Sequence, residues 1–374
     1  MKFNLLTAFP TVHWNHNWER QHELIFRLSR KFQAVNIHQP YGLINYSLPH
    51  VLKKFKDYWV NRQKIEKGLL ANPTAENFHF VNHFYLPIHY TWWSDCINYQ
   101  LVSSKAFPPE ESLIYSGYVN GFMFKYFQKG GFKWLDLFAR RQKMSELSVK
   151  AKNLEAKAVE TADLVTADNV NTISDYMSIR KDILYLPQGV DAGRFYPTTG
   201  MESIKSLAKG YKGIAGYMGT DLAVDLQLLS EVIRLCPEIF FVFIGNFKNS
   251  TKTALNVYKN VVFTGRIGYF ELNEAVNSLD IGIIPYLINE KTSGVFPTKY
   301  YEYLACNKPV ITTPLPDLVD KNSLHVIVAE DARSWRDAMY FLLKKPYEPN
   351  APISEAMHNT WARRLELLEG YLPL

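Results

Sequence analysis

The sequence predicts an α/β protein built as two Rossmann-like domains with parallel sheets. Three observations carry this: strands alternate with helices in two successive runs, several strands of the second run end on glycine, and a polar stretch separates the runs. In the first run, Lys2–Thr7 reads as a buried strand and Trp18–Lys31 as a helix, with Ile25, Leu28 and Phe32 recurring on one face. Ala34–His38 is the next strand. Val51–Lys157 shows no clear period until a helix at Lys150–Thr161, followed by short strands at Leu164–Thr166 and Ile183–Leu186. Pro187–Pro197 reads as a linker, and polar Thr198–Lys212 as lacking a strand.

The second run is cleaner. Strands are expected at Gly213–Met218, Phe240–Ile244, Val261–Thr264, Ile281–Ile284, Val310–Thr313 and His325–Val328. Helices are expected at Leu222–Cys236, Glu271–Leu279, Lys299–Cys306 and Ala332–Leu343. A last helix, Ser354–Tyr371, follows a Pro-rich break and carries Met357, Trp361, Leu365 and Leu368 on one stripe that must dock somewhere. The expected division is therefore 1–190, 191–352 and a terminal helix 353–374.

Composition fits this and narrows the class. With 374 residues, 47% hydrophobic and 21% charged, the chain can bury a large core and is not disordered. No apolar run reaches the roughly 18–20 residues of a membrane span. The N-terminus has no long apolar segment, so no cleaved signal peptide is expected. Cys96, Cys236 and Cys306 have no paired spacing, which argues against a disulfide scaffold or zinc knuckle and for a reducing cytoplasm. The net charge of +6 is divided unevenly, +7 up to Pro187 and −1 beyond it. A basic half attracts anions: nucleic acid, acidic lipid or phosphorylated substrates. No nucleic-acid-binding motif is present. Phe122–Lys143 interleaves aromatic with basic residues, as a membrane-surface segment would, or as a packed helix with a basic outer face would.

The chemistry is expected at the carboxyl ends of the strands. Gly219 and Gly245 stand there, where a missing side chain lets a phosphate approach the backbone. No Walker or Gly-x-Gly-x-x-Gly pattern occurs. Thr292–Pro316 reads as loop, helix from Thr298, stop at Asn307-Lys308-Pro309, and buried strand. Lys299 in the first turn and Glu302 three residues on share a face, which suits a nucleoside diphosphate: Lys on phosphate, Glu on ribose.

This stretch resembles the family-four-like GT-B glycosyltransferases of bacterial surface-polysaccharide synthesis. Pro297, Lys299, Glu302, Tyr303, Leu304, Ala305, Lys308, Pro309 and Val310 match their block of the form Pro-x-Lys-x-x-Glu-Tyr-Leu-Ala-x-x-Lys-Pro-Val. Ala162–Thr166, Leu186–Asp191 with Phe195, Asn260–Gly265, Asp280–Tyr286 and Ala356–Trp361 follow in family order. The resemblance implies two sheets facing across a cleft and a terminal helix crossing back to the first domain. It implies a donor site of Gly219, Gly245, Arg266, Tyr286, Thr298, Lys299 and Glu302, with the base near Arg266-Ile267. It also implies a nucleotide-sugar co-substrate, a UDP-sugar favoured, with no bound metal or other cofactor. The acceptor would be a sugar or lipid-linked molecule, reached by a cytoplasmic protein held peripherally at the anionic inner face of the cell membrane. Two departures are visible. Gly294, not a glutamate, stands eight positions before Glu302, and the loop after Gly219 lacks the usual Arg and Lys. Retaining and inverting outcomes both stay open. An inverting enzyme would draw its base from His13, His16, His83 or Asp95. The alternative is a catalytically inactive nucleotide-sugar or polyanion-binding module of the same fold; a GT-B epimerase is a further, smaller possibility.

Overall fold

In the computed structural model, the described residues are 2–14, 18–39, 72–82, 91–145, 147–268 and 271–374. They form two compact units: Met1–Asp168 with Thr172–Leu186 and Leu365–Leu374, and Pro187–Arg364 with Asn169–Asn171.

The first unit runs β1 (Leu5–Phe9), α1 (Arg20–Leu28), β2 (Ala34–Gln39), β3 (Phe78–Asn82), α2 (Trp92–Ser103), β4 (Ser112–Ser116), α3 (Gly121–Gln128), β5 (Phe132–Leu137), α4 (Val149–Thr161), β6 (Leu164–Ala167), α5 (Val170–Tyr176) and β7 (Leu184–Tyr185). The strands form one parallel sheet in the order β3-β2-β1-β4-β5-β6-β7. The order reverses between β1 and β4, where Leu5 pairs with both Ala34 and Ser112. Caps start the helices: Asn120 accepts from the Met123 N–H at 3.0 Å, and Ser148 from Ala151 N–H at 3.2 Å.

The aromatic-basic segment Phe122–Lys143 becomes α3 and β5. Phe122, Tyr126, Phe127 and Trp134 are all buried, so these rings belong to the core and are not at a headgroup level. Asn120 starts α3 and Gly130-Gly131 ends it, which turns the rings of its inner face onto the sheet.

A polar cluster lies inside this sheet. Asp136 on β5 is fully buried and accepts two bonds from Arg20, at 2.9 and 2.8 Å, one from Tyr115 Oη at 3.0 Å and one from Thr166 Oγ1 at 2.6 Å. Trp134 Nε1 donates to Thr166 at 2.9 Å. Burial pulls the Arg20 guanidinium down, but the Asp136 charge and hydrogen bonds overcome it and the net shift is upward. Burial, then the Asp136 charge, pushes the Tyr115 hydroxyl well above its ordinary range.

The second unit runs α6 (Glu202–Leu207), β8 (Gly213–Met218), α7 (Leu226–Leu235), β9 (Ile239–Ile244), α8 (Asn249–Leu255), β10 (Val261–Gly265), α9 (Leu272–Asn277), β11 (Ile281–Ile284), α10 (Lys299–Ala305), β12 (Val310–Thr312), β13 (Val326–Val328), α11 (Ala332–Leu343) and α12 (Ala351–Met357). Its parallel sheet has the order β10-β9-β8-β11-β12-β13, reversing between β8 and β11. All residues of β8, β9 and β11 are buried, as expected for strands covered on both faces. The helix expected from Leu222 begins four residues later, because Asp225 caps it by accepting from Leu228 N–H at 2.9 Å.

The expected single terminal helix is two. α12 stops at Met357, and α13 (Trp361–Glu369) starts after a three-residue break. Val190 sits in that break, donating to the Asn359 carbonyl at 3.0 Å and accepting from Trp361 N–H at 3.0 Å. The break takes Met357 off the stripe: Trp361 and Leu368 are buried while Met357 is exposed. In the first unit, the Phe3 N–H donates to the Pro373 carbonyl at 3.2 Å.

Removing one partner of the Arg20–Asp136 pair leaves the other charge buried. Asp136→Ala should lower unfolding stability by about 3–5 kcal/mol, read as a drop in urea midpoint. A loss below about 1 kcal/mol would show that the cluster does not organise this unit.

Candidate functional site

The site grows from the rim of the second sheet at its switch point. Gly219, Gly245 and Gly265 follow β8, β9 and end β10, with φ of 145°, 138° and 74°. They are linked edge to edge: Gly219 N–H donates to the Ile244 carbonyl at 2.8 Å, and Gly245 N–H to the Gly265 carbonyl at 2.9 Å. A Cβ on Gly245 would lie 1.9 Å from the Gly219 carbonyl oxygen. Only glycine permits both the backbone angle and this approach.

Lys299 opens α10 beside this rim and is buried, at 7% exposure. A Cβ on Gly219 would sit 3.5 Å from its Cε. Its ammonium donates to Tyr286 Oη and lies 4.7 Å from the Tyr286 ring centre and 5.1 Å from that of Tyr217. Tyr217 is the penultimate residue of β8, and Tyr286 follows β11, so the two rings come from strands on either side of the switch point. No carboxylate among the described residues makes an ion pair with Lys299. The buried cation is held by ring faces and a hydroxyl alone.

The surrounding residues fix this geometry. Tyr217 Oη donates to the Thr220 carbonyl at 2.8 Å, and burial, then the neighbouring Tyr286, pushes its hydroxyl well above the ordinary range. Thr313 Oγ1 donates to the Tyr286 carbonyl at 2.8 Å. Tyr303, one turn past Lys299, accepts from Met218 N–H at 2.8 Å and thereby ties α10 to the residue before Gly219. A Cβ on Gly282 would lie 2.3 Å from the Tyr303 ring, so that glycine lets the helix lie flat on β11. Tyr300 donates to Glu355 at 2.7 Å, and Glu355 pairs with His325 at 3.0 Å, anchoring α10 to α12 and β13. Lys308 of the same sequence block donates to the Asn277 carbonyl at 3.1 Å, so it closes α9.

The other expected donor residues are placed as follows. Glu302 is half-buried one turn along α10 from Lys299, and Thr298 is half-buried at the helix start without a side-chain cap bond. Arg266 is exposed directly after Gly265. Gly294 is buried in a short turn, and Glu290 is exposed on the loop before it. The loop after Gly219 carries Asp221, which accepts from Thr251 Oγ1 at 2.6 Å and Lys248 N–H at 3.0 Å. Burial raises this carboxyl, but those bonds outweigh it and hold it below its ordinary value. The loop without basic residues is thus tethered to the start of α8.

In the first unit, His13 is buried after β1. Asp95 is buried on α2, its carboxylate so close to Gly121 that a Cβ there would lie 2.0 Å from an oxygen. His16 and His83 lie outside the described residues. Sequence reasoning missed Tyr217, Tyr303 and Asp221. A tyrosine next to the end of an otherwise small and apolar strand is the signal the sequence offers for Tyr217.

The two parallel-sheet units are the fold of GT-B structures. Residues 220–345 match the family described as glycosyl transferases group 1, in agreement with the resemblance read from the block Pro297–Val310. The chain is 28% identical over 175 residues to TuaH of Bacillus subtilis (strain 168), a glycosyltransferase assigned to teichuronic acid biosynthesis; the match covers 43% of this chain and 44% of that protein. The chain thus spans under half the length of this relative. Among solved structures, sucrose-phosphate synthase from Thermosynechococcus elongatus superposes with TM-score 0.68 at 14% identity, covering 98% of each chain. Anabaena HepE, solved with UDP and glucose, gives 0.65 at 10% identity and 98% of each. α,α-Trehalose-6-phosphate synthase from Burkholderia multivorans gives 0.63 at 9% identity, covering 99% of this chain and 98% of that one.

Gly245→Ala combines a forbidden backbone angle with a collision. It should cost at least about 1–3 kcal/mol and lower the urea midpoint; an unchanged midpoint would contradict the close approach of the two glycines. Glu355 gives a pH signature. Burial raises its carboxyl, yet bonds from His325 and Tyr300 win and the net shift is below the ordinary 4.5. Its stabilising effect is therefore present above about pH 4.5 and lost as pH falls through the lower folded value. Glu355→Gln should flatten the fall of the melting temperature below that pH; an unaltered acid limb would show that the anchor carries no charge-dependent stability.

Proposed function

We propose that the protein is a glycosyltransferase that moves a sugar from a nucleotide-sugar donor, a UDP-sugar favoured, to a sugar or lipid-linked acceptor in surface-polysaccharide or glycolipid assembly. The observation that carries this reading is the buried Lys299 ammonium. Among the described residues it has no anionic partner, and it stands where Gly219 leaves the backbone open. A donor diphosphate is the anion that suits it. Glu302, one turn along the same helix, is suited to the ribose hydroxyls, and Arg266 to a second contact on the phosphates, with the base near Ile267. Gly219 and Gly245 let the diphosphate lie against the backbone, while Tyr286 and Thr298 line the approach.

In the transfer, an acceptor hydroxyl oxygen bonds to the anomeric carbon and the bond from that carbon to the diphosphate oxygen breaks. The hydroxyl loses its proton to a base, and the electron pair leaves with the nucleoside diphosphate. Negative charge on the departing phosphate grows as the bond breaks, so a prepositioned cation at that point favours the transition state over the ground state. The reading requires no bound metal, since Lys299 and Arg266 would supply that charge. His13 and Asp95 from the first unit, with His16 and His83, remain the proposed sources of a base for an inverting reaction. Among the described residues no helix is long and apolar enough to cross a membrane. The reading places the protein in the cytoplasm, bound peripherally at the anionic inner membrane face, where a lipid-linked acceptor would be met.

Lys299→Met keeps the stem and removes the charge. With a panel of UDP-, GDP- and ADP-sugars, the wild-type chain should transfer from at least one donor, and the variant should be slower by about 100-fold or more. Transfer by the variant at the wild-type rate would refute the assignment. Donor binding by the wild-type chain without any transfer or hydrolysis would favour the inactive module.

A further inference from the structure

Helix α2 is amphipathic the wrong way round for a soluble surface. Its buried residues are Ser94, Asp95, Asn98 and Val102, three of them polar. Four of its five exposed side chains are large and apolar, Trp92 at 79%, Trp93 at 47%, Ile97 at 46% and Leu101 at 42%, the fifth being Gln100. Trp93, Ile97 and Leu101 recur every four residues, so they form one stripe along the helix with Trp92 beside its start. The inward polarity has a local reason at Asp95, whose carboxylate packs against Gly121 at the beginning of α3. Among the described residues, no contact accounts for the outward tryptophans. Clustered exposed apolar side chains of this size mark a surface that something else covers.

Charge around the stripe points to the partner. The exposed residues of α2 include no acid, its one carboxylate being the buried Asp95. Two lysines from α3 and its end reach over to the same helix: Lys125 Nζ lies 3.1 Å from Cys96 Sγ, and Lys129 Nζ lies 5.0 Å over the Tyr99 ring. Lys105 is exposed just past the C-terminal end. Tryptophans in the plane of an apolar stripe, flanked by ammoniums, match a bilayer interface with anionic headgroups. We propose that α2 is the element by which the protein docks on an anionic membrane, inserting Trp92, Trp93, Ile97 and Leu101 between headgroups while Lys105, Lys125 and Lys129 pair with lipid phosphates. The inference rests on the reading of the protein as acting at a membrane surface and assigns that contact to one helix. The aromatic residues of Phe122–Gln128 are core; it is their lysines that contribute.

The test uses the full chain in co-sedimentation with vesicles of phosphatidylcholine alone and of phosphatidylcholine mixed with an equal part of phosphatidylglycerol. The wild-type chain should pellet with the anionic vesicles and far less with the neutral ones. Lys125→Gln with Lys129→Gln should weaken binding by about fivefold per lysine removed. Trp92→Ser with Trp93→Ser, and separately Ile97→Ser with Leu101→Ser, should reduce it by about tenfold or more. All these side chains are outside the core, and an unchanged melting temperature confirms folding. UDP-induced thermal shift measured on the same samples should be equal in wild type and variants. Loss of that shift in the wild-type chain would sink the donor-binding reading and leave the membrane result standing. The docking proposal is overturned by a wild-type chain that stays in the supernatant with anionic vesicles, by variants that pellet like wild type, or by equal pelleting with both lipids. A wild-type dimer that Trp92→Ser with Trp93→Ser converts to monomer would overturn it too, by showing that a second copy covers the face.

Discussion

A single buried cation organises the second unit. Placing an ammonium at 7% exposure is costly unless something replaces its water. Here the replacement is one tyrosine hydroxyl and two ring faces, with no carboxylate among the described residues. The surrounding residues hold Lys299 in this position. Tyr303 ties its helix to the end of β8, Tyr300 ties it through Glu355 to His325, and Gly282 lets it lie against the sheet. On the proposed reading, a site held in place by these contacts and short of one negative charge suits an anion, and the ligand would bring the missing partner.

The glycine rim supplies the shape that complements this charge. Three neighbouring strands end in positive-φ glycines linked through backbone hydrogen bonds, and the one nearest Lys299, Gly219, leaves main chain bare beside it. The rim coincides with the reversal of strand order between β8 and β11, where neighbouring loops diverge and open a crevice in any doubly wound sheet. The first unit shows the same reversal between β1 and β4, but its polar capital is used differently. Asp136 is fully engaged by Arg20, Tyr115 and Thr166, an arrangement that fixes β4, β5 and β6 to α1.

The second unit was the more legible half, for a physical reason. Its strands are mostly apolar runs, as in Phe240–Ile244, and β8 to β11 end on or directly before glycine or proline, so burial is written into composition. β5 reads Phe-Lys-Trp-Leu-Asp-Leu, and its Asp136 belongs in a strand only because Arg20, over a hundred residues away in sequence, neutralises it. No local pattern reports such a pairing, which is why β5 is not legible in the sequence. The short helix Glu202–Leu207 was missed within a polar stretch because Ile204 is its lone buried residue. The terminal helix was read as continuous because its stripe is; the break at His358–Thr360 is imposed by Val190. At the site, Lys299 and Gly219 were visible because charge at a helix start and glycine at a strand end carry meaning locally. Tyr217 was not, since its role depends on Tyr286 and Lys299 arriving from elsewhere. The apolar face of α2 was hidden too: which of its sides points outward is decided by tertiary packing, and the usual assumption gives the opposite answer.

The central claim is that the buried ammonium awaits a diphosphate. Calorimetric titration of the chain with UDP and, separately, with uridine tests it most directly, because the two ligands share base and ribose and differ in the phosphates alone. The account predicts that UDP binds at least about tenfold more tightly, the worth of one well-placed charged hydrogen bond. It also predicts that the difference between the ligands shrinks in Lys299→Met, leaving only what Arg266 and the glycine backbone contribute. Equal affinities for UDP and uridine in the wild-type chain would contradict it.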